Sequence, residues 1–161
     1  MKNIKYLYLI VLAGFIFSSC QEWIDFKDPE IEHSKAWPLT GEWYVSEFWD
    51  LEFGYGPYSI NIYNSSFSED SIWIDNIYDS GIKIKAAKTG TNTFAVTGAP
   101  DVNGALPDGW TLDVIDGQVF QMTDEPDSVY FQVIITMDDG TVYDDYVEGG
   151  YRKTGFEGIL D

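Results

Sequence analysis

The sequence predicts an all-β protein, an antiparallel and largely up-and-down set of eight or nine strands. Three observations lead there. Short runs rich in Val, Ile, Tyr, Phe and Trp alternate apolar and polar residues with period two. Tight turn signals such as Asp116-Gly117 and Asp139-Gly140 separate several of them. No stretch from Thr40 onward shows helical periodicity, and parallel pairing would require crossovers of about a dozen residues that are not visible.

The strands are expected in order. Gly41 to Asp50 is aromatic and β-branched. In Tyr58 to Tyr63, Tyr58, Ile60 and Ile62 share one face. Ser71 to Ile77 places Ile72 and Ile74 together and puts Trp73 on the other face, so Trp73 is outside or marks a register slip. Gly81 to Ala87 sets Ile82 and Ile84 against Lys83 and Lys85. Thr93 to Thr97 follows, then Trp110 to Ile115 and Gln118 to Met122 as a hairpin about Asp116-Gly117. Ser128 to Met137 sets Val129, Phe131, Val133 and Ile135 against Tyr130, Gln132, Ile134 and Thr136, and Thr141 to Lys153 ends the set. Such a set closes into a barrel or splits into a sandwich. Gly98 to Gly109, with Pro100, Gly104 and Pro107, is the longest breaker-rich loop and reads as a mouth loop or a plain connector.

Ahead of the domain, residues 1–19 read as an export signal. Lys2 and Lys5 precede an apolar run from Tyr6 to Phe17, too short for a ~30 Å hydrocarbon layer. Phe17-Ser18-Ser19-Cys20 resembles the lipobox of bacterial lipoproteins, with Phe where Leu is usual. That resemblance implies acylation of Cys20 and anchoring on an outer membrane, on its surface or its periplasmic face. Residues 20–39 then read as the lipidated cysteine and an acidic tether carrying Asp25, Asp28, Glu30 and Glu32, and residues 40–161 as the β-domain. The acidic stretch resembles the surface-export signals of Bacteroidetes lipoproteins and equally suits a solvated linker.

The composition excludes several functions. A formal net charge of −18 repels nucleic-acid backbones and anionic head groups. Cys20 is the only cysteine, so no disulfide, thiolate metal site or cysteine nucleophile exists beyond it. The only histidine, His33, lies in the tether, and no Gly-x-Ser-x-Gly elbow is present. Among so many Asp and Glu residues no carboxylate pair stands out as a glycosidase pair. Asp138-Asp139-Gly140 and Asp144-Asp145 read as solvated turn acids rather than a Ca²⁺ loop. Neither a cofactor nor a metal is expected, and the expectation leans against an enzyme.

Gly41-Glu42-Trp43 resembles the G-x-W motif that opens the first lipocalin strand, and Arg152 stands where that superfamily places an Arg across the Trp. The resemblance implies a Trp43–Arg152 pair closing one barrel end by a cation–π contact. Five segments carry a wider likeness: Gly41 to Val45, Tyr55-Gly56-Pro57-Tyr58, Asp70 to Asp75, Asp127 to Phe131 and Gly150 to Phe156. In that order they resemble the Bacteroidetes lipoprotein family of lipid-binding putative hydrolases. That likeness implies a calycin-like (lipocalin-like) barrel with a cavity for an apolar ligand. Its expected lining is Tyr58, Ile60, Ile62, Ile72, Ile74, Ile82, Ile84, Phe131 and Val133, residues that would equally fill a solid core. The expected partners are therefore a small hydrophobic ligand and, through Cys20, a membrane. The alternative is an accessory module docking on an outer-membrane protein through exposed Tyr and Trp.

Overall fold

The computed structural model describes residues 34–49 and 52–154. The expected signal segment, Cys20, His33 and most of the expected tether lie outside them. The chain divides into Met1–Glu32 and a compact unit His33–Asp161, to which all the described residues belong.

Eight strands form one closed antiparallel barrel in sequence order: β1 Gly41–Trp49, β2 Glu52–Ser65, β3 Ser68–Ile77, β4 Ile82–Lys88, β5 Thr93–Pro100, β6 Thr111–Phe120, β7 Ser128–Thr136 and β8 Val142–Arg152. Period-two patterning decides which side chains point in. Ile60 and Ile62 on β2, Ile72 and Ile74 on β3, Ile82 and Ile84 on β4, and Phe131 and Val133 on β7 are all buried. Trp73 lies outside, where Lys83 and Lys85 sit 5.4 and 5.9 Å from its ring centroid.

The expected hairpin at Asp116-Gly117 is not a turn. Both flanks belong to β6, and both pair with β7. Asp116 takes φ +53, and the register with β7 shifts between Ile115 and Gln118. The Asp-Gly pair thus supplies a β-bulge, which needs the same permissive backbone as a tight turn. At Gly117 a Cβ would lie 2.6 Å from the Phe94 ring, so the bulge also lets that buried ring lie against the strand.

Two chain ends meet in the closing seam. β1 and β8 pair in register, Trp43 with Arg152, Val45 with Gly150, Glu47 with Glu148 and Trp49 with Tyr146. At Gly150 a Cβ would stand 1.9 Å from the Tyr44 carbonyl oxygen and 2.6 Å from Val45 Cα, so this seam closes only around a glycine. Its neighbour Gly149 would meet nothing nearer than Phe48 Cε2 at 3.7 Å.

Arg152 sits at one end of this seam. Its guanidinium carbon is 4.2 Å from the Trp43 ring centroid and 4.6 Å from that of Trp37. Nε donates to Asp127 Oδ2 at 3.1 Å, Nη2 to the Pro38 carbonyl at 2.5 Å, and Nη1 to the Thr40 carbonyl. Nη1 occupies the space that a Cβ on Gly41 would claim. Residues 34–39, the last part of the stretch read as tether, pack on the barrel and bury Ala36 and Leu39.

Two expected outcomes follow from this packing. Gly150→Ala should lower stability by about 3 kcal/mol or more, as overpacking against backbone does, while Gly149→Ala stays within ~0.5 kcal/mol; urea midpoints measure both. In a Trp43→Leu, Arg152→Met double-mutant cycle, unfolding losses should be non-additive by about 1–3 kcal/mol. Additive losses would mean that the two side chains do not interact.

Candidate functional site

The barrel end opposite Arg152 gathers the C-terminal ends of β1, β3, β5 and β7 and the segment 101–110. The sequence marked Gly98 to Gly109 as a mouth loop or a plain connector; β5 takes Gly98 to Pro100, and the rest joins β5 to β6 at this end. Asp101 organises it. Oδ1 accepts from the Lys83 N–H (2.8 Å) and the Asn103 N–H (3.1 Å), and Oδ2 from the Leu106 N–H (3.0 Å) and the Ala105 N–H. Burial opposes the charge there, yet these four donors hold the carboxyl below its ordinary range. The loop is thereby tied to β4, and Leu106 packs against the core.

The β4–β5 seam opens toward the same end. Its paired residues are Ala87 with Ala95 and Lys88 with Phe94, both near the Arg152 end. Farther along, the Lys83 carbonyl accepts from the Val102 N–H at 2.9 Å, so the loop takes the place of a strand partner.

Below the mouth, on the inward face of the closing seam, lie two carboxyl groups. Glu148 is fully buried and Glu47 nearly so, at 6% exposure. They are direct cross-strand partners on one face, which places their Cβ atoms roughly 5 Å apart. The Tyr58 hydroxyl donates to Glu148 Oε1, and Tyr58 in turn accepts from the Tyr78 N–H at 3.1 Å. Trp49 Nε1 donates to Glu47 Oε1. Glu148 Oε2 and the Tyr78 hydroxyl are buried without a hydrogen-bond partner. The ion pairs among the described residues, Lys35–Glu69, Lys83–Asp75, Arg152–Asp127 and Lys153–Glu42, all lie elsewhere.

Aromatic rings enclose this pair. Tyr146 meets Tyr78 at 5.5 Å and Trp49 at 6.1 Å, both edge-to-face, and Tyr55 stacks on Tyr58 at 5.7 Å. A register shift in β1–β2, where Tyr58 opposes Val45 but Tyr55 opposes Glu47, turns Tyr55 to the mouth. Trp49 and Tyr55 each remain 51% exposed.

The nine side chains expected to line a cavity all face the interior and are at most 5% exposed. A void admitting water would leave accessible surface on its lining, so these residues are packed against one another in this conformation. The Glu47–Glu148 pair was missed in the sequence. Its signal was an acid in phase with the inward residues on each strand: Trp43, Val45, Glu47 on β1 and Tyr146, Glu148, Gly150 on β8.

Burial pushes the Glu148 carboxyl up to about 7; the Tyr58 hydroxyl opposes this and the charge of Glu47 adds to it. Burial also raises Glu47, against the hydrogen bond from Trp49. A carboxyl raised on folding contributes stability that is full below its ordinary value near 4.5 and is lost as pH climbs to about 7. Glu148→Gln removes that dependence. Relative to wild type, the variant should therefore gain on the order of 2–3 kcal/mol between pH 5 and pH 8. Urea unfolding at the two pH values measures this, and a pH-independent difference would show that no proton is held there.

A family model described as "Lipid-binding putative hydrolase" matches residues 28–157. No curated protein and no solved structure matches the chain. The matched span takes in the whole barrel from β1 to β8 together with the segment packed beneath Arg152, and a closed β-barrel fits a lipid-binding protein. The chain belongs to the family of lipid-binding putative hydrolases.

Proposed function

We propose that this protein is a lipoprotein anchored to the outer membrane of a bacterial envelope through acylated Cys20, and that its barrel binds a small apolar, lipid-like ligand at the mouth. The anchoring half rests on the order of charged start, apolar run, small residues and cysteine in residues 1–20. Three acyl chains on such a cysteine would hold firmly, since each buried CH₂ contributes ~0.8 kcal/mol and one chain alone binds only marginally.

The binding half is carried by one observation: an apolar barrel interior whose open end presents half-exposed Trp49 and Tyr55 above it. Because the interior side chains are already in contact, a ligand is accommodated by displacing groups at the mouth rather than by filling a standing cavity. Leu106, Tyr78 and Tyr146 are the partly buried groups there, and the loosely paired β4–β5 seam opens the same end. The ligand's apolar part would bed against these side chains, as aromatic-lined sites generally receive such groups.

A second reading has its own support. A filled core with Trp49, Phe53, Tyr55 and Tyr143 exposed also suits a module that docks on a partner of an outer-membrane assembly.

Native mass spectrometry of residues 21–161, purified without detergent and followed by organic extraction, separates the two. A stoichiometric apolar molecule, or uptake of an added fatty acid or phospholipid, is the expected result. A clean ligand-free mass that stays unchanged after incubation with both would favour docking.

A further inference from the structure

We propose that the barrel mouth selects an amphiphile with a positively charged nitrogen head, an amine or quaternary ammonium, seated between Glu47 and Glu148 and framed by the rings of Trp49, Tyr78 and Tyr146. The inference rests on the apolar-ligand reading above and names the head group of that ligand.

Two carboxyl groups placed side by side away from water repel each other and lose hydration, so a protein retains them where something positive neutralises the pair. No Lys or Arg among the described residues does so here. The Tyr58 phenol and the Trp49 indole N–H each donate to an Oε1 atom, and the Tyr78 backbone N–H also favours the Glu148 charge. Glu148 is fully buried, and its second oxygen has no partner. The Tyr78 hydroxyl, buried close by, is likewise unpartnered. The pair therefore holds buried acceptor capacity and, among the described residues, no fixed cation.

The surrounding rings suit the same head group. An aromatic face attracts a cation by its quadrupole, and the attraction grows when water is excluded. Three rings, from β1, β8 and the β3–β4 turn, meet edge-to-face in sequence around Tyr146 beside the carboxyls, with the Trp49 indole bonded to Glu47. A phosphate or carboxylate head would meet two acids instead, within a chain of formal net charge −18.

In the free protein below about pH 7, a proton on Glu148 stands in for that cation. The groups facing Glu148 are Glu47 from β1, Tyr58 from β2, Tyr78 from the β3–β4 turn, the uncharged Phe131 from β7 and Tyr146 on β8. None of these can supply a positive charge. A cationic head displaces the Glu148 proton to solvent, so its binding strengthens as pH rises through neutrality and releases protons below it.

Calorimetric titration of the full chain tests this with dodecyltrimethylammonium, dodecanoate and dodecanol, each below its aggregation limit. Wild type should bind the cation at least tenfold more tightly than dodecanoate. Measured in two buffers at pH 6, binding of the cation should release close to one proton, falling toward none at pH 8.5. Glu47→Gln with Glu148→Gln should weaken the cation at least tenfold and leave dodecanol within threefold. Asp124→Asn with Glu125→Gln, exposed in the β6–β7 loop, removes the same charge and should change nothing beyond twofold. Where circular dichroism shows the double variant unfolded, Glu148→Gln alone and the proton count decide. Equal affinity for all three compounds overturns the head-group assignment and leaves the apolar-ligand reading standing. Binding of none overturns both, and unchanged cation affinity in the folded double variant overturns the head-group assignment alone.

Discussion

The barrel depends on the seam between β1 and β8. Every other pair of neighbouring strands is consecutive in sequence, so each of those pairings closes a modest loop. The final seam must join strands from opposite ends of the domain, at greater entropic cost, before the sheet loses its last two open edges. What makes that closure favourable is local and specific. Gly150 lets the β8 backbone approach Tyr44 and Val45 to a distance no side chain allows. Arg152 then fastens the end, held by Asp127 from the β6–β7 loop and by carbonyls of Pro38 and Thr40 from the segment that enters β1. One guanidinium therefore joins three pieces of chain that would otherwise fray separately.

The same seam carries opposite electrostatics at its two ends. At the Arg152 end a cation is surrounded by acceptors and by two indole faces, so burial is compensated. Toward the mouth two acids face each other with a phenol, an indole and the Tyr78 backbone N–H as their neutral donors. Burial raises the Glu148 carboxyl to about 7, and repulsion from Glu47 adds to it. Stability alone would favour a Gln or an apolar residue at position 148. A position that opposes folding in an otherwise consistent barrel is where a functional constraint is expected.

Much of the architecture was legible because a half-buried strand writes its two faces into the sequence. Ile60 and Ile62, Ile82 and Ile84, and the alternation from Val129 to Ile135 each announce one inward face, and the barrel places them there. Asp116-Gly117 was legible as a backbone requirement but not as a unique structure, since a positive φ serves a bulge as readily as a hairpin. The packing of Ala36 and Leu39 was hidden because a short segment with two apolar residues has no period to read. Glu47 and Glu148 were hidden for another reason. With 27 acidic residues in the chain, only strand phase separates a buried acid from a solvated one. That phase becomes meaningful once the partner strand is known.

The interior itself is uneven in how readily it could make room. Its β2–β4 wall is built from Ile60, Ile62, Ile72, Ile74, Ile82 and Ile84, β-branched side chains with few rotamers, and a displaced one has nowhere comparable to go. The mouth differs in every respect that matters for yielding. Trp49 and Tyr55 already stand half in solvent, Leu106 is held by a loop rather than a strand, and β4 and β5 are paired only at their far ends. Displacing those groups gives up less buried area and breaks no ladder. The unmade hydrogen bonds of Glu148 and Tyr78 lie under that same yielding rim. Trp43 Nε1, Ser65 Oγ and Ser71 Oγ, toward the Arg152 end, are also buried without a partner. There, however, the barrel is closed by charge, and only at the mouth do such atoms lie under a yielding rim.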